Sequence, residues 1–286
     1  MPELPEVETI RRDLEHAVLG KGIRKVEICR SKMVKNKDQE FIKVLTGNRF
    51  DRISRKGKLL IFDLAYGDKT LLVHLRMTGQ LVCEIPGGIL VDPHAGLESS
   101  DLPNKHTHII FEFADESKLF FNDLRTFGYM QLCSDHEVLE SLAKYGIEPL
   151  TENFSWLNFR KVFNGRKRVL KPLLLDQSLV SGIGNIYADE ICFKSKILPD
   201  RNSGSLSQAE LKRIYNACQS VISKAVEKRG TSFKDYLDGS GKEGGYLPYL
   251  KVYGREGEQC LKCKDGIIEK KKLAGRGTHF CPFCQQ

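Results

Sequence analysis

Residues 170–193 read LKPLLLDQSLVSGIGNIYADEICF. Two short apolar runs with helical spacing flank the turn Ser181-Gly182-Ile183-Gly184, and Asn185 falls where the second helix begins. An Asn at that position caps a helix, and the exposed amides of a helix N-terminus form a natural phosphate site. A dinucleotide-binding glycine fingerprint is excluded, because its third glycine is Tyr187 here and no strand precedes the turn. A cap alone is a structural feature. The nearby Arg166, Lys167, Arg168 and Lys171 turn the reading toward DNA or RNA.

Working outward, helical periods dominate from GIEPL at 146–150 to about residue 228, so a domain boundary is expected near 146. Ser207 and Glu210 form a capping box for a helix carrying Leu211, Ile214, Cys218, Val221, Ile222 and Ala225, which stops near Gly230. A Gly-rich loop, LDGSGKEGGY, follows. Before the boundary, GIRKVEICR, KLLIFDL, KTLLVHLR, HTHIIFEF and SKLFFND are strand-like runs divided by turn residues, the pattern of an antiparallel sandwich or barrel. CEIPGGILVDPHAGLESSDLPNK reads as a long surface loop.

The chain of 286 residues carries a net charge of +8 with 41% apolar residues, enough for two domains and mildly favourable to an anionic partner. No apolar run approaches the ~18 residues of a membrane span, and the acidic N-terminus does not resemble a signal peptide. A cytoplasmic protein is expected. Cys29, Cys83, Cys133, Cys192 and Cys218 lie scattered and read as reduced thiols in or near cores.

The other four cysteines form Cys260-x2-Cys263 and Cys281-x2-Cys284, two chelating pairs at an interval that suits a hairpin. Structural zinc is the expectation. A redox role is disfavoured because two pairs occur and neither lies in a thioredoxin-like unit. Residues 251–286 carry a net +4, and Arg276 in AGRGTH is placed to grip a phosphate.

At the other end, MPELPEVE sets Pro5 and Glu6 at the start of a helix with Val7, Ile10, Leu14 and Val18 on one face. Pro2 and Glu3 read either as a loose tip or as chemistry. Removal of Met1 would leave Pro2 with a free secondary amine, whose pKa near ~8 keeps roughly a tenth of it neutral at pH 7. Attack on a sugar C1′ would then give a permanently cationic iminium, and Glu3 could move the proton needed by the ring oxygen. Lys58 in SRKGKLL starts a strand run. Met77 in HLRMTG and Phe127 in DLRTFG sit at turns beside Arg76 and Arg125, where packing residues are unusual and duplex wedges are not.

PELPEVE, the RKGK lysine, HLRMTG, KHTH, DLRTFG, GIGNIYADE, VYGREGEQC and AGRGTHFCPFCQQ occur in the order of the bacterial formamidopyrimidine-DNA glycosylases, which the whole chain resembles. The resemblance implies an α+β protein: an N-terminal antiparallel β-sandwich with flanking helices over 1–146, a helix-two-turn-helix domain over 147–250 and a zinc-ribbon hairpin over 251–286. It further implies a monomer with one structural Zn2+, acting on double-stranded damaged DNA held between its domains. Pro2 would be the nucleophile, Glu3 the proton donor, and Glu6 a second carboxylate near the lesion. Lys58 would assist β-elimination and Arg276 δ-elimination, both touching phosphate. Met77, Arg125 and Phe127 would fill the void left by a flipped base, with Arg125 pairing to the orphaned cytosine. His106, Arg166, Lys171 and Asn185 would hold the backbone, and the loop around Gly239 to Tyr246 would close over the base. Thr107 departs from the acidic residue expected inside KHxH. Two alternatives are an endonuclease VIII-like enzyme for oxidised pyrimidines and a non-catalytic zinc-ribbon protein.

Overall fold

The computed structural model describes residues 2–85, 89–90, 102–231 and 245–286. Met1, most of the loop expected at 83–105 and residues 237–244 of the Gly-rich loop lie outside them. The chain divides into two compact units, Met1–Ala143 with Lys228–Leu247, and Lys144–Glu227 with Pro248–Gln286.

The first unit is a sandwich of two antiparallel sheets. One contains β1 (Ile23–Ile28), β5 (Gly79–Ile85), β6 (Ile89–Leu90), β7 (Thr107–Phe113) and β8 (Lys118–Asp123), in the order β1-β7-β8-β5-β6. The other is β2 (Phe50–Lys56), β3 (Leu59–Leu64), β4 (Lys69–His74) and β9 (Tyr129–Ser134), in the order β2-β3-β4-β9. Alternate residues of each strand point inward, so Ile109, Phe111, Leu119 and Phe121 of one sheet meet Phe50, Leu60, Phe62, Leu71 and Val73 of the other. Phe50 lies 4.9 Å from Phe62 and 5.9 Å from Phe111, ring centre to ring centre, so truncating it would cost roughly 3–5 kcal/mol.

Helix α1 (Leu4–Val18) joins this core through Val7, Ile10, Leu14 and Val18. It begins one residue earlier than the sequence suggests, and Pro5 takes the second position, where no intrahelical N–H bond is required. Helices α2 (Asp38–Leu45) and α3 (Asp135–Leu142) flank the sheets.

The second unit holds α4 (Trp156–Phe163), α5 (Leu170–Leu175), α6 (Asn185–Ser195), α7 (Gln208–Glu227) and the hairpin of β10 (Glu269–Leu273) and β11 (Arg276–Phe280). The two expected helical runs are α5 and α6. Gln177 fastens the turn between them, accepting the Gly182 N–H at 2.9 Å and donating to the Ile183 carbonyl at 2.8 Å. Gly146 lies against this turn so closely that a Cβ would come 2.2 Å from the Leu179 oxygen. Helix α6 is buried on nearly every side, including Tyr187, Asp189, Glu190 and Ile191, which marks it as the centre of its unit rather than an amphipathic surface helix. Ser207 and Glu210 form the expected capping box ahead of α7. No helix among the described residues is long and apolar enough to cross a membrane.

Candidate functional site

Pro2, Glu3 and Glu6 are buried at the head of α1. Glu6 does not stand ready to move protons as an isolated carboxylate. Its Oε2 accepts the Glu3 N–H at 2.7 Å, and its Oε1 accepts the Thr231 N–H at 2.8 Å. Glu6 therefore ties the backbone of Glu3 to the chain that leaves α7. Gly230 is required at that junction: its φ is +81°, and a Cβ would sit 2.7 Å from Glu6 Oε1.

Lys58 lies in the two-residue turn between β2 and β3, after Gly57 with φ 58°, and is buried. An ion pair connects this turn to α1. Arg55 Nε donates to Glu8 at 2.9 Å, and Arg55 also donates to the Gly57 carbonyl at 3.2 Å. Burial alone raises the Glu8 pKa, but hydrogen bonding to Arg11 and the charges of Arg55 and Arg11 outweigh it and bring it down to about 2. Neither Glu8 nor Arg55 was selected from sequence, where both look like surface charges.

Strand β4 pairs with β3 so that Leu59 opposes His74, which puts His74 beside the Lys58 turn. His74 was also missed by sequence reading, though it stands inside HLRMTG. Burial, then the positive charges of Arg76 and Lys58, lower it to about 3. Its Nδ1 accepts the Arg76 N–H at 3.1 Å, which requires an unprotonated ring nitrogen.

The Met77 turn and the loop carrying Arg125 and Phe127 are neighbours, because Gly79 pairs with Asp123 across β5 and β8. Met77 is 39% and Phe127 50% exposed, too open for core residues, and the Arg125 guanidinium lies 4.8 Å from the Phe127 ring centre. His106 is half-buried just ahead of β7. Thr107 is buried, and its hydroxyl accepts the Asn104 N–H at 2.9 Å, so it closes a local turn where a carboxylate was expected.

In the second unit Arg166 turns back to donate to the Val162 carbonyl at 2.9 Å, at the end of α4. Together with Arg160, Lys161 and Lys167 it lines a basic groove. Asn185 is not a helix cap. Gly184 occupies that position, and Asn185 Nδ2 donates to the Gly277 carbonyl at 3.1 Å in the cysteine hairpin.

Lys171 requires a correction as a backbone-contacting residue. It is fully buried: its ammonium donates to the Gly277 carbonyl at 2.9 Å and to Thr278 Oγ1 at 2.9 Å, and it forms an ion pair with Asp189 Oδ1 at 2.7 Å. Sequence shows a basic run but not which member turns inward. Arg276 itself is exposed beside a two-residue loop, Ala274 and Gly275, with φ of 47° and 78°, the geometry of a tight hairpin. Lys171 and Asn185 thus hold the strand on which Arg276 stands.

The Sγ atoms of Cys260, Cys263, Cys281 and Cys284 lie within 4.8 Å of one another, with Cys260–Cys284 and Cys263–Cys281 each 3.8 Å apart. A tetrahedron with Zn–S bonds of ~2.3 Å has edges of about 3.8 Å, so the donor set fits one zinc ion with no open position. The Lys262 N–H points at Cys260 Sγ and the Gly266 N–H at Cys263 Sγ, which favours thiolates; the latter bond is the main reason the Cys263 thiol is drawn down to about 7. The ribbon is anchored to α6 by Glu190, whose carboxylate accepts the N–H groups of Lys251, Val252 and Tyr253.

Residues 1–130 match the model of the formamidopyrimidine-DNA glycosylase N-terminal domain, and residues 145–236 match the H2TH domain of the same enzymes. The chain is 43% identical over 289 residues to the formamidopyrimidine-DNA glycosylase of Listeria innocua serovar 6a, covering 100% of both proteins. It is similar to the Lactococcus lactis Fpg solved in complex with DNA containing an abasic site, with a TM-score of 0.88, 37% identity and 99% of each chain covered. A structure of MutM with DNA containing carbocyclic 8-oxo-G also has a TM-score of 0.88, at 36% identity over 100% of both chains.

Proposed function

Because the chain belongs to the formamidopyrimidine-DNA glycosylase family, we infer that it is a base-excision repair enzyme. It removes oxidised purines such as 8-oxoguanine and ring-opened formamidopyrimidines from double-stranded DNA and then nicks the strand as an abasic-site lyase. Full-length identity to a glycosylase of that name carries this reading.

In the proposed chemistry the Pro2 amine, freed by loss of Met1, attacks C1′ of the damaged nucleotide while Glu3 delivers a proton to the ring oxygen. The base leaves and an iminium forms. Its positive charge draws electrons from the neighbouring carbon, which permits β-elimination assisted by Lys58 and then δ-elimination supported by phosphate contact from Arg276. Glu6 sets the Glu3 backbone. Met77, Arg125 and Phe127 occupy the duplex where the damaged base has been extruded, and His106, Arg166 and Asn185 contact the backbone. Lys171 acts at one remove, through the Arg276 hairpin.

The four cysteines hold one structural zinc ion, which shapes the ribbon and takes no part in bond breaking. In this division of labour residues 1–146 carry the chemistry, while 147–250 and the ribbon at 251–286 grip DNA. The bacterial relatives support a cytoplasmic setting.

The test is borohydride trapping on a duplex with one 8-oxoguanine opposite cytosine, followed by peptide mass analysis. A covalent adduct at Pro2 is expected. Binding without any adduct would favour a non-catalytic zinc-ribbon protein, and trapping only with oxidised pyrimidines would favour the endonuclease VIII-like alternative.

A further inference from the structure

Asp123 stands at the end of β8 with none of its surface exposed. Its Oδ1 accepts the Thr78 hydroxyl at 2.5 Å and the Arg125 N–H at 3.1 Å. Its Oδ2 accepts the N–H groups of Phe127 at 2.8 Å and Gly128 at 2.7 Å. The Thr78 oxygen also accepts the Arg125 N–H at 3.0 Å, so the hydroxyl links one loop to the other. The main chain of Asp123 makes two more ties, donating to the His106 carbonyl at 3.0 Å and accepting from His108 Nε2 at 2.8 Å. Three motifs, HLRMTG, KHTH and DLRTFG, therefore meet at one buried residue.

We propose that Asp123 is the positioning residue that sets Met77, Arg125 and Phe127 as a single unit for entry into the duplex, an inference that rests on the glycosylase reading above. The exposed side chains at the two tips cannot be fixed by packing. Their backbone must be fixed instead, and it is held in an unfavourable form: Arg76 has φ 54° and Thr126 φ 55°, the left-handed region that β-branched residues avoid. The N–H groups on both sides of Thr126 converge on one carboxylate, which holds that form in place.

Nothing smaller than a carboxylate serves. Four donors converge on two oxygens, whereas an amide offers a single acceptor oxygen and would set its NH2 against two N–H or O–H donors. Gly128 makes the approach possible, since a Cβ there would lie 3.1 Å from Asp123 Oδ2, 3.0 Å from the His74 carbonyl and 2.9 Å from the Phe121 ring.

The test compares wild type with Asp123→Asn on two substrates. A single-stranded oligonucleotide with an abasic site has no orphaned base and no void to fill; an 8-oxoguanine duplex has both. Adduct formation by Asp123→Asn should fall at least tenfold more on the duplex than on the single strand, and its preference for cytosine over adenine opposite the lesion should shrink. Adding Thr126→Gly should recover part of the duplex loss, because glycine takes the left-handed form without strain. Equal losses on both substrates, or none, would overturn the proposal. Wild-type trapping reports on the glycosylase reading separately. Amide exchange needs no substrate: the N–H groups of Arg125, Phe127 and Gly128 should exchange at least tenfold faster in Asp123→Asn, and unchanged exchange would overturn the tie itself.

Discussion

Replacing Lys171 by Met separates a lysine that grips DNA from one that builds the gripping surface. In the structure the substitution removes two hydrogen bonds and an ion pair, but their consequences differ. The Gly277 carbonyl keeps its bond from Asn185, and the Thr278 hydroxyl keeps a contact with the Arg276 carbonyl at 3.3 Å. Asp189 is the group left exposed to the full penalty, since its side chain has no solvent access and its remaining partners are the N–H and ring nitrogen of His279. An uncompensated buried carboxylate costs about 3–5 kcal/mol, far more than either of the other losses. At roughly 3–5 °C per kcal/mol for a unit of this size, the melting temperature should fall by about 10–25 °C.

Thermal unfolding followed by circular dichroism measures this directly, and a second variant isolates the cause. Lys171→Met with Asp189→Asn removes the charge yet keeps an acceptor for the His279 N–H, so it should be more stable than the single variant by at least about 1 kcal/mol. The DNA-binding readout is the slope of log affinity against log salt in that double variant. A lysine touching phosphate contributes about one unit of slope, whereas a buried one contributes none. A stability loss under about 1 kcal/mol, no recovery in the double variant, or a further unit of slope lost when Arg276 is already replaced by Ala would each refute the buried-anchor account.

Three further outcomes are expected. Stripping the zinc with a chelator under reducing conditions should unfold the ribbon and abolish tight DNA binding, with zinc release matching one ion per chain by colorimetric assay; a protein indifferent to chelation would refute the metal assignment. His74 has a folded pKa near 3, below its ordinary 6.5, so the unfolded chain takes the proton first: stability is complete above about pH 6.5 and declines as pH falls toward 3. His74→Gln should flatten that decline in urea titrations, and an unchanged slope would count against it. Gly230→Ala forces both a left-handed alanine and a clash with Glu6, and should cost about 1–3 kcal/mol together with much of the excision rate, measured by single-turnover kinetics.

What could be read from the sequence follows physical lines. Period-two runs such as KTLLVHLR and HTHIIFEF became β4 and β7 because their alternate residues face a shared core. The paired CxxC motifs bring their four sulfurs within 4.8 Å of one another, as a spacing suited to metal ligation predicts. Individual roles were less legible wherever charge was turned inward. Lys171 and Arg166 stand five residues apart in one basic run, yet one is sealed against Asp189 and the other caps α4, a difference created by partners 18 residues away in one case and four in the other. Asp123 carried no signal of its own, since a lone Asp before a turn is ordinary.

The same contrast explains how the elements assigned to catalysis and DNA contact are built. Pro2, Lys58, Met77, Arg125, Phe127 and Arg276 sit at helix or hairpin ends and loop tips, and the last four are exposed, so that burial cannot select their conformation. Each is backed by a polar residue that grips backbone: Glu6 holds the Glu3 N–H, Arg55 the Gly57 carbonyl, Asp123 the loop amides, and Lys171 with Asn185 the Gly277 carbonyl. Such hydrogen bonds, buried or partly buried and several of them charge-assisted, are strong and directional, so they can fix a tip that apolar packing would leave loose. Substituting a gripping residue should therefore disturb geometry before it disturbs chemistry, and its effects should be largest on substrates that demand the most of that geometry.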